Sequence, residues 1–335
     1  MFQEAAQSSI VVRKQLQANA ALMDELGATL RKLSPRAVVT CARGSSDHAA
    51  TFAKYLIEAR TRVLTSSAAP SVSSVYDASM NMRDTVCLAI SQSGKSPDLI
   101  AAVDKARASG AIVVAICNTP DSPLMRSTHY SIDICAGPET SVAATKSYIG
   151  SISAIVHLVA SWTQDGQLMR ALELASVELE QAWSADWSAA IEPLQNATNM
   201  FVVGRGFGLG IVQEAALKLK ETCGLHAEGF SAAEVQHGPM ALVRSGFPVL
   251  AFSQSDDTRT SIESIAREFV RRDAHVLLAG GNVDGAMRLP VIEAHPVVEP
   301  MLMIASFYRL AEALARAREY DPDVPPHLRK VTETL

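Results

Sequence analysis

Three serines stand within one short segment, Ile90-Ser91-Gln92-Ser93-Gly94-Lys95-Ser96-Pro97-Asp98. The apolar run before it reads as a strand and the stretch after it as a helix. Pro97 suits a first helical position and Ser96 an N-cap. Gly94 permits a tight turn. A loop of this kind offers free backbone N–H groups and the positive end of a helix dipole, and both favour an anion. The hydroxyls of Ser91, Ser93 and Ser96 add donors without adding charge, which suits a phosphate monoester. The same serines read equally as plain helix caps. An earlier strand ends in a similar way, in Gly44-Ser45-Ser46, and ligands of open α/β sheets lie in such crevices. Neither a Walker A loop nor a dinucleotide fingerprint is present, so no nucleotide cofactor is expected.

A second set of reactive residues lies further along. Glu214-Ala215-Ala216-Leu217-Lys218-Leu219-Lys220-Glu221-Thr222 reads as helix, and Lys218 and Glu221, three apart, share a face. His226, Glu228, Glu234 and His237-Gly238-Pro239 follow. A carboxylate beside a lysine and a histidine can move a proton between adjacent carbons. Spacing alone favours the plainer reading of Lys218 and Glu221, a surface salt bridge, and a lone His237 is more often structural. Histidine and cysteine spacing fits no zinc site, and no metal or organic cofactor is expected. Lys330, in a proline-rich tail, carries no role on spacing alone.

The elements that must position these residues repeat. Val39-Thr40-Cys41-Ala42-Arg43-Gly44 resembles Phe201-Val202-Val203-Gly204-Arg205-Gly206, an offset of 162 residues. Ser91-Gln92-Ser93 recurs as Ser253-Gln254-Ser255, and Ile112–Cys117 maps to Ala274–Ala279, both in the same register. Short apolar runs without period-two alternation read as strands covered on both faces: Ala37–Cys41, Val86–Ile90 and Ile112–Ile116, then Met200–Val203, Pro248–Phe252 and His275–Leu278. Helical stretches alternate with them at His48–Arg60, Pro97–Ser109, Gly208–Thr222 and Ser261–Arg272. The fold class is therefore α/β, two doubly wound parallel sheets flanked by helices. The expected organisation is a helical segment at 1–33, a first domain at 34–164 and a helical linker at 165–197. A second domain at 198–318 and a tail at 319–335 complete it.

Composition agrees. The chain has 335 residues, 48% hydrophobic and 19% charged, enough for two ordinary globular cores. Its net charge of −5 and lack of a basic block speak against a nucleic-acid surface. The five cysteines form no Cys-x-x-Cys pair and read as reduced, buried thiols. No secretion signal or membrane span is visible, so a cytoplasmic location is expected.

Taken together, these residues resemble a known family. The chain is similar, over nearly its whole length, to the isomerase half of glutamine–fructose-6-phosphate aminotransferase (glucosamine-6-phosphate synthase). It is similar too to the related glucosamine-6-phosphate deaminases built from sugar-isomerase (SIS) domains. The motifs that carry this are Ser91-Gln92-Ser93-Gly94, Glu139-Thr140-Ser141-Val142-Ala143-Ala144-Thr145-Lys146, Ala216-Leu217-Lys218-Leu219-Lys220-Glu221, His226-Ala227-Glu228, His237-Gly238-Pro239 and the tail from Pro325 to Thr332. The resemblance implies two tandem SIS domains. It implies that Ser46, Ser91, Gln92, Ser93 and Ser96 hold a sugar phosphate and that Val142 lines the sugar through its backbone. Glu221 would shuttle a proton between C1 and C2, with Lys218 assisting near C1. Lys330, in a tail over the active site, would sit over the open-chain sugar, where family members can form a Schiff base with a ketose. His237 would help open the ring and reach in from a neighbouring subunit, which implies a homodimer.

Two departures shape the expected reaction. In the synthase a glutaminase domain opens with a cysteine directly after the initiator Met, whereas here Phe2 follows Met1. Pro326 and His327 stand where the synthase usually has Arg and Asn. The expected activity is deamination of glucosamine 6-phosphate to fructose 6-phosphate and ammonia. Alternatives are a fructosamine-6-phosphate deglycase, an ammonia-dependent synthase and a non-catalytic sugar-phosphate sensor. About 33 residues precede the first strand, too few for a separate DNA-binding head. Asp256 and Asp257 after the second Ser-Gln-Ser should repel phosphate and leave that copy of the anion site dead.

Overall fold

A computed structural model describes residues 1–330; Val331 to Leu335, and with them the end of the tail motif, lie outside the described residues. The chain forms two compact units. The first-sheet unit takes residues 10–139 and 146–173, together with Arg329 and Lys330. The second-sheet unit takes residues 1–9, 140–145 and 174–328. The continuous boundaries expected at 34–164 and 198–318 remain a proposal.

In chain order the first elements are α1 (Phe2–Ala5), α2 (Ser8–Leu33), β1 (Ala37–Cys41), α3 (Ser45–Thr61), β2 (Leu64–Ser67), α4 (Pro70–Ser74), β3 (Thr85–Ser91), α5 (Pro97–Ala108), β4 (Ile112–Cys117), α6 (Pro123–Arg126), β5 (Tyr130–Asp133) and α7 (Lys146–Thr163). The first sheet has the order β2-β1-β3-β4-β5, with every neighbour parallel. All seven residues of β3 are buried, as a central strand covered on both faces requires. Val and Ile recur in β1, β3 and β4, and their branched side chains fit a pleated surface. α7 is buried almost throughout. Gln15 of α2 donates from Nε2 to the carbonyls of Gly150 and Ile134, at 2.7 and 3.2 Å, which ties α2 to α7 and to the end of β5.

The chain continues with α8 (Gly166–Ser184), α9 (Ile191–Gln195), β6 (Asn199–Gly204), α10 (Leu209–Cys223), β7 (His226–Ser231), β8 (Pro248–Phe252), α11 (Arg259–Arg271), β9 (His275–Ala279), β10 (Met287–Leu289) and α12 (Glu299–Ala317). The second sheet runs β10-β9-β8-β6-β7, again all parallel. Counted from its own first strand, each sheet has the same order, 2-1-3-4-5. Its core joins Phe201, Phe247, Val249 and Ala251 to Ile262, Ile265, Ala266 and Phe269 of α11. The long helices and central strands lie where periodicity places them. The edge strands β2, β5, β7 and β10 go beyond that reading: all are partly exposed, and all but β7 are short.

All five cysteines are free thiols. Burial pushes Cys41 and Cys223 up to about 11 and Cys87 up to about 12, so these stay protonated and inert. Among the described residues no helix is long and apolar enough to cross a membrane.

Candidate active site

In a 2-1-3-4-5 sheet the strand order reverses between the first and third strands, and the crevice for a ligand opens there, at their carboxyl ends. In the first-sheet unit those strands are β1 and β3, paired in parallel with Cys41 opposite Ala89. Ser46 lies in the first turn of α3, directly after β1; Ser91 ends β3, and Gln92, Ser93 and Ser96 follow it in the turn before α5. The fold thus brings all five expected phosphate ligands to one sheet edge. The β3 loop is built as a tight turn. Ser91 Oγ accepts the Gly94 N–H at 3.0 Å and Ser93 Oγ accepts the Lys95 N–H at 3.3 Å. Gly94 has φ +63°, and a Cβ there would lie 2.3 Å from Ser122 Oγ. Thr119 Oγ1 donates to the Gln92 carbonyl at 3.2 Å, and the Leu124 N–H to the Gly94 carbonyl at 3.1 Å. Ser96 occupies the N-cap of α5, but its hydroxyl does not cap the helix. Its place is explained less well by capping than its position in the sequence implies.

The two loops are tied together by a residue that spacing did not single out. Arg43 Nη2 donates to Asp98 Oδ2 at 2.9 Å, and Asp98 Oδ1 accepts the Leu99 N–H at 2.8 Å. Asp98 is buried in the first turn of α5 while Arg43 stays half exposed at the crevice edge. The signal for it was the Arg-Gly pair shared by both halves of the sequence.

Lys330 also belongs to the first-sheet unit. Its Nζ lies 3.1 Å from Glu139 Oε2, and the Glu139 side chain is fully buried. That carboxylate also accepts the Ser147 N–H at 3.1 Å and the Ser147 hydroxyl at 2.6 Å. Two donors at the N-terminus of α7 thus fix the carboxylate that receives the lysine. Spacing gave Lys330 no role; its ion pair shows a defined position. Glu139 lay in a quoted motif without a role of its own.

The second-sheet unit holds the expected acid–base residues Lys218, Glu221 and His237. α10 is a clean helix that ends at Gly224, whose φ of +57° makes a left-handed C-cap. On one face Lys218 Nζ donates to Glu221 Oε2 and lies 3.4 Å from Glu214 Oε1. Tyr308 OH on α12 donates to Glu214 Oε1 at 3.2 Å. Lys218 is 1% exposed, Glu214 0% and Glu221 19%. This is a buried network, not the solvated pair that spacing favours. Burial alone would lower the Lys218 ammonium, but Glu214 and then Glu221 outweigh it and hold the group above its ordinary value. The Lys218–Glu221 pair is thus a buried cation–carboxylate contact with the carboxylate at the more accessible end. His237 stands exposed on the short 3-10 turn Glu234–His237, with no hydrogen bond to this cluster. Val142 lies in the second-sheet unit, and its N–H donates to the Asp323 carbonyl at 3.2 Å.

The second unit repeats the crevice between β6 and β8, and there the sequence copy of the serine loop is filled from within. Glu299, at the start of α12, accepts the Ser255 N–H at 2.5 Å and the Ser255 hydroxyl at 2.6 Å, and also the Ala294 N–H at 3.3 Å. Gln254 Nε2 donates to the Arg205 carbonyl at 2.7 Å and contacts Thr258 and Asp256. Asp256 is spent on Thr258 and Gln254. A carboxylate of the protein thus sits where an anion would, a different cause from the Asp256–Asp257 repulsion expected from sequence. Among the described residues no three His, Cys, Asp or Glu side chains are grouped to hold a metal ion.

The SIS domain model matches residues 33–161 and 193–285. Glutamine–fructose-6-phosphate aminotransferase of Chlorobaculum tepidum is 31% identical over 315 residues, which is 88% of this chain and 50% of that protein. The chain thus spans about half the length of the curated relatives it matches. A solved structure from Silicibacter pomeroyi DSS-3, described as a phosphosugar isomerase, is 40% identical, covers 96% of this chain and 99% of its own, and superposes with a TM-score of 0.93. The C-terminal domain of glucosamine-fructose-6-phosphate aminotransferase from Francisella tularensis, at 24% identity, covers 96% and 97% of the two chains with a TM-score of 0.86, a likeness of fold.

Proposed function

The chain belongs to the SIS domain family, and we propose that it is an aldose–ketose isomerase of amino-sugar 6-phosphates that releases ammonia, a glucosamine-6-phosphate deaminase. The observation that carries this reading is the buried Lys218–Glu221 couple on α10, a base held beside a cation with its carboxylate at the accessible end. Ser46, Ser91, Gln92, Ser93 and Ser96 take the phosphate: a switch-point crevice with backbone donors and neutral hydroxyls is chemistry for a phosphate monoester.

In the reaction His237 assists opening of the sugar ring. Glu221 then removes the proton from C2 of the open-chain aldose and returns it to C1. The aldehyde oxygen O1 gains a proton and the amine nitrogen loses one, so the aldose becomes a 2-imino ketose with no net change in atoms. Water adds to the imine carbon, and fructose 6-phosphate and ammonia leave. Lys218 stabilises the charge that develops at O1. Lys330, delivered by the tail and set by Glu139, faces the open-chain sugar, while the Val142 backbone lines it. The same groups serve the reverse direction by microscopic reversibility.

The decisive experiment is ammonia release from purified protein given glucosamine 6-phosphate, coupled to detection of fructose 6-phosphate. Stoichiometric appearance of both supports the reading. Binding without turnover refutes it, and turnover of N-substituted fructosamine phosphates instead marks a deglycase. We also propose a cytoplasmic homodimer in which His237 serves the neighbouring subunit. Mixing Glu221→Gln and His237→Ala proteins restores activity if it does, and leaves both dead if it does not.

A further inference from the structure

Glu214 has no place in the reaction as drawn, yet it is the most deeply buried carboxylate of the α10 cluster. Its side chain is 0% exposed. It lies one turn before Lys218, 3.4 Å from the ammonium, and Tyr308 of α12 donates to it at 3.2 Å. The backbone around the lysine is braced too, since Thr222 Oγ1 donates to the Lys218 carbonyl at 2.8 Å. A buried carboxylate is costly unless it is paired, so this one needs a reason.

Charge counting supplies one. A lone buried Lys–Glu pair is neutral. When its carboxylate takes a proton from substrate the pair becomes a net cation inside the protein, which burial disfavours. The pair can also neutralise itself by passing the lysine proton to the glutamate, which destroys the base. With Glu214 present the cluster carries one surplus negative charge at rest. It becomes neutral when Glu221 takes up the proton, and Lys218 keeps a carboxylate partner throughout.

We infer that Glu214 is a positioning residue that keeps Lys218 a cation while Glu221 carries the substrate proton, with Tyr308 holding the Glu214 carboxylate in place. The inference rests on the isomerase reading above. The direction in which Lys218 is displaced agrees with the geometry: burial opposes the charged form, and Glu214, ahead of Glu221, restores it. Among the described residues the charges that act on the ammonium are those of Glu214 and Glu221. α12 presents Tyr308 there, and the Arg318 guanidinium beyond its end is spent on the carbonyls of Cys223, Leu194, Gln195 and Ala197. β7 carries His226 and Glu228, both exposed to solvent.

The test uses Glu214→Gln, Glu214→Asp and Tyr308→Phe in the full chain with two readouts. The first is kcat and KM against pH with glucosamine 6-phosphate, together with exchange of the C2 hydrogen for solvent deuterium. The second is the 15N ammonium signal of Lys218 by NMR, assigned with Lys218→Met. Glu214→Gln is expected to lower kcat and C2 exchange about a hundredfold with KM within about threefold. Its Lys218 signal should vanish at a lower pH than in wild type. Glu214→Asp should recover part of both, and Tyr308→Phe should shift both in the same direction by less. An active wild type whose Glu214→Gln variant keeps its kcat and pH profile overturns the inference. If wild type turns over no sugar phosphate, the isomerase reading fails, and the NMR titration alone decides: an early loss of signal in Glu214→Gln supports the hold on Lys218, and an unchanged titration overturns it. Should Glu214→Gln not fold, Tyr308→Phe carries the same two readouts.

Discussion

Replacing Gly94 by alanine tests whether the serine loop is held in its shape for a ligand. Two costs can be worked from the structure. The φ of +63° puts any L side chain in the left-handed region, at about 1 kcal/mol. The new Cβ would also lie 2.3 Å from Ser122 Oγ, 2.6 Å from Ser122 Cβ and 2.8 Å from Cys117 Sγ. Ser122 cannot swing away cheaply: it is 2% exposed and its hydroxyl caps α6 by accepting the Met125 N–H. Overpacking of this kind costs about 1–3 kcal/mol. The total is about 2–4 kcal/mol, or a fall in melting temperature of roughly 5–15 °C. Part of that cost should be relieved by a shift of the loop, and a shift moves the Gly94 and Lys95 N–H groups that Ser91 and Ser93 now accept. Sugar-phosphate affinity should therefore fall about tenfold or more, since even one lost hydrogen bond to a charged group is worth over 1 kcal/mol. Differential scanning calorimetry and isothermal titration with fructose 6-phosphate read the two effects. Adding Ser122→Gly to Gly94→Ala should recover part of the crowding cost, since the contact with Cys117 Sγ remains and the α6 cap is lost, and none of the left-handed part. A variant that melts earlier yet binds sugar phosphate as wild type does would refute the assignment of phosphate binding to this loop.

Three further outcomes follow from other parts of the structure. Glu221→Gln keeps the shape and removes the base, so sugar-phosphate affinity should hold while turnover falls by a factor of about 10² to 10⁴; normal turnover would end the proton-shuttle assignment. His157, buried in α7, is pushed down to about 4 by burial, with Asp24 pulling the other way. Its folded value lies below its unfolded 6.5, so the stability it confers is present above that pH and is lost as pH falls toward 4. Urea unfolding should show about 2 kcal/mol less stability from this group at pH 5 than at pH 7, and His157→Leu should lack that increment; equal acid sensitivity of both proteins would show that another group dominates. Glu299→Gln would turn an amide N–H₂ toward the Ser255 and Ala294 donors and should cost about 1–3 kcal/mol in the same unfolding assay, whereas an unchanged midpoint would mean that these bonds contribute nothing net.

What the sequence discloses, and what it hides, follow from the range of the forces involved. The central strands and long helices are legible because burial on both faces writes continuous apolar runs, as in β3 and β4, and amphipathic period into α11. The edge strands β2 and β10 are not legible: each is only a few residues long and mostly exposed, and its place is decided by hydrogen bonds to the neighbouring strand and not by an apolar run of its own. The serine loop is legible because its chemistry is local, a strand end, a glycine and a helix start within nine residues. The environment of Lys218 is not. Three-residue spacing to Glu221 looks the same on a solvated helix and a buried one, and only packing of α12, which brings Tyr308 to Glu214, decides between them. Lys330 is the extreme case, because its partner Glu139 lies 191 residues earlier and no local pattern marks the pair.

The two crevices show why one architecture need not give one chemistry twice. Both sheets have the same order, both carry Arg-Gly after the first strand, and both place Ser-Gln-Ser after the third. In the first unit the Arg43 guanidinium bonds Asp98 from outside the loop, the turn is closed by its own serines, and the crevice keeps neutral donors. In the second, Glu299 enters from α12 and takes the Ser255 amide and hydroxyl that a phosphate oxygen would need. An internal carboxylate loses no translational freedom when it binds, since the chain already holds it there, so millimolar phosphate competes poorly with it. The repeat therefore supplies two copies of an anion-binding shape, and one acidic residue at the start of one helix is enough to turn the second copy from a binding site into a brace between β8 and α12. In the proposed reaction the second unit contributes instead from α10, where Glu214, Lys218 and Glu221 lie on a helix face buried by packing and not on a loop open to an anion.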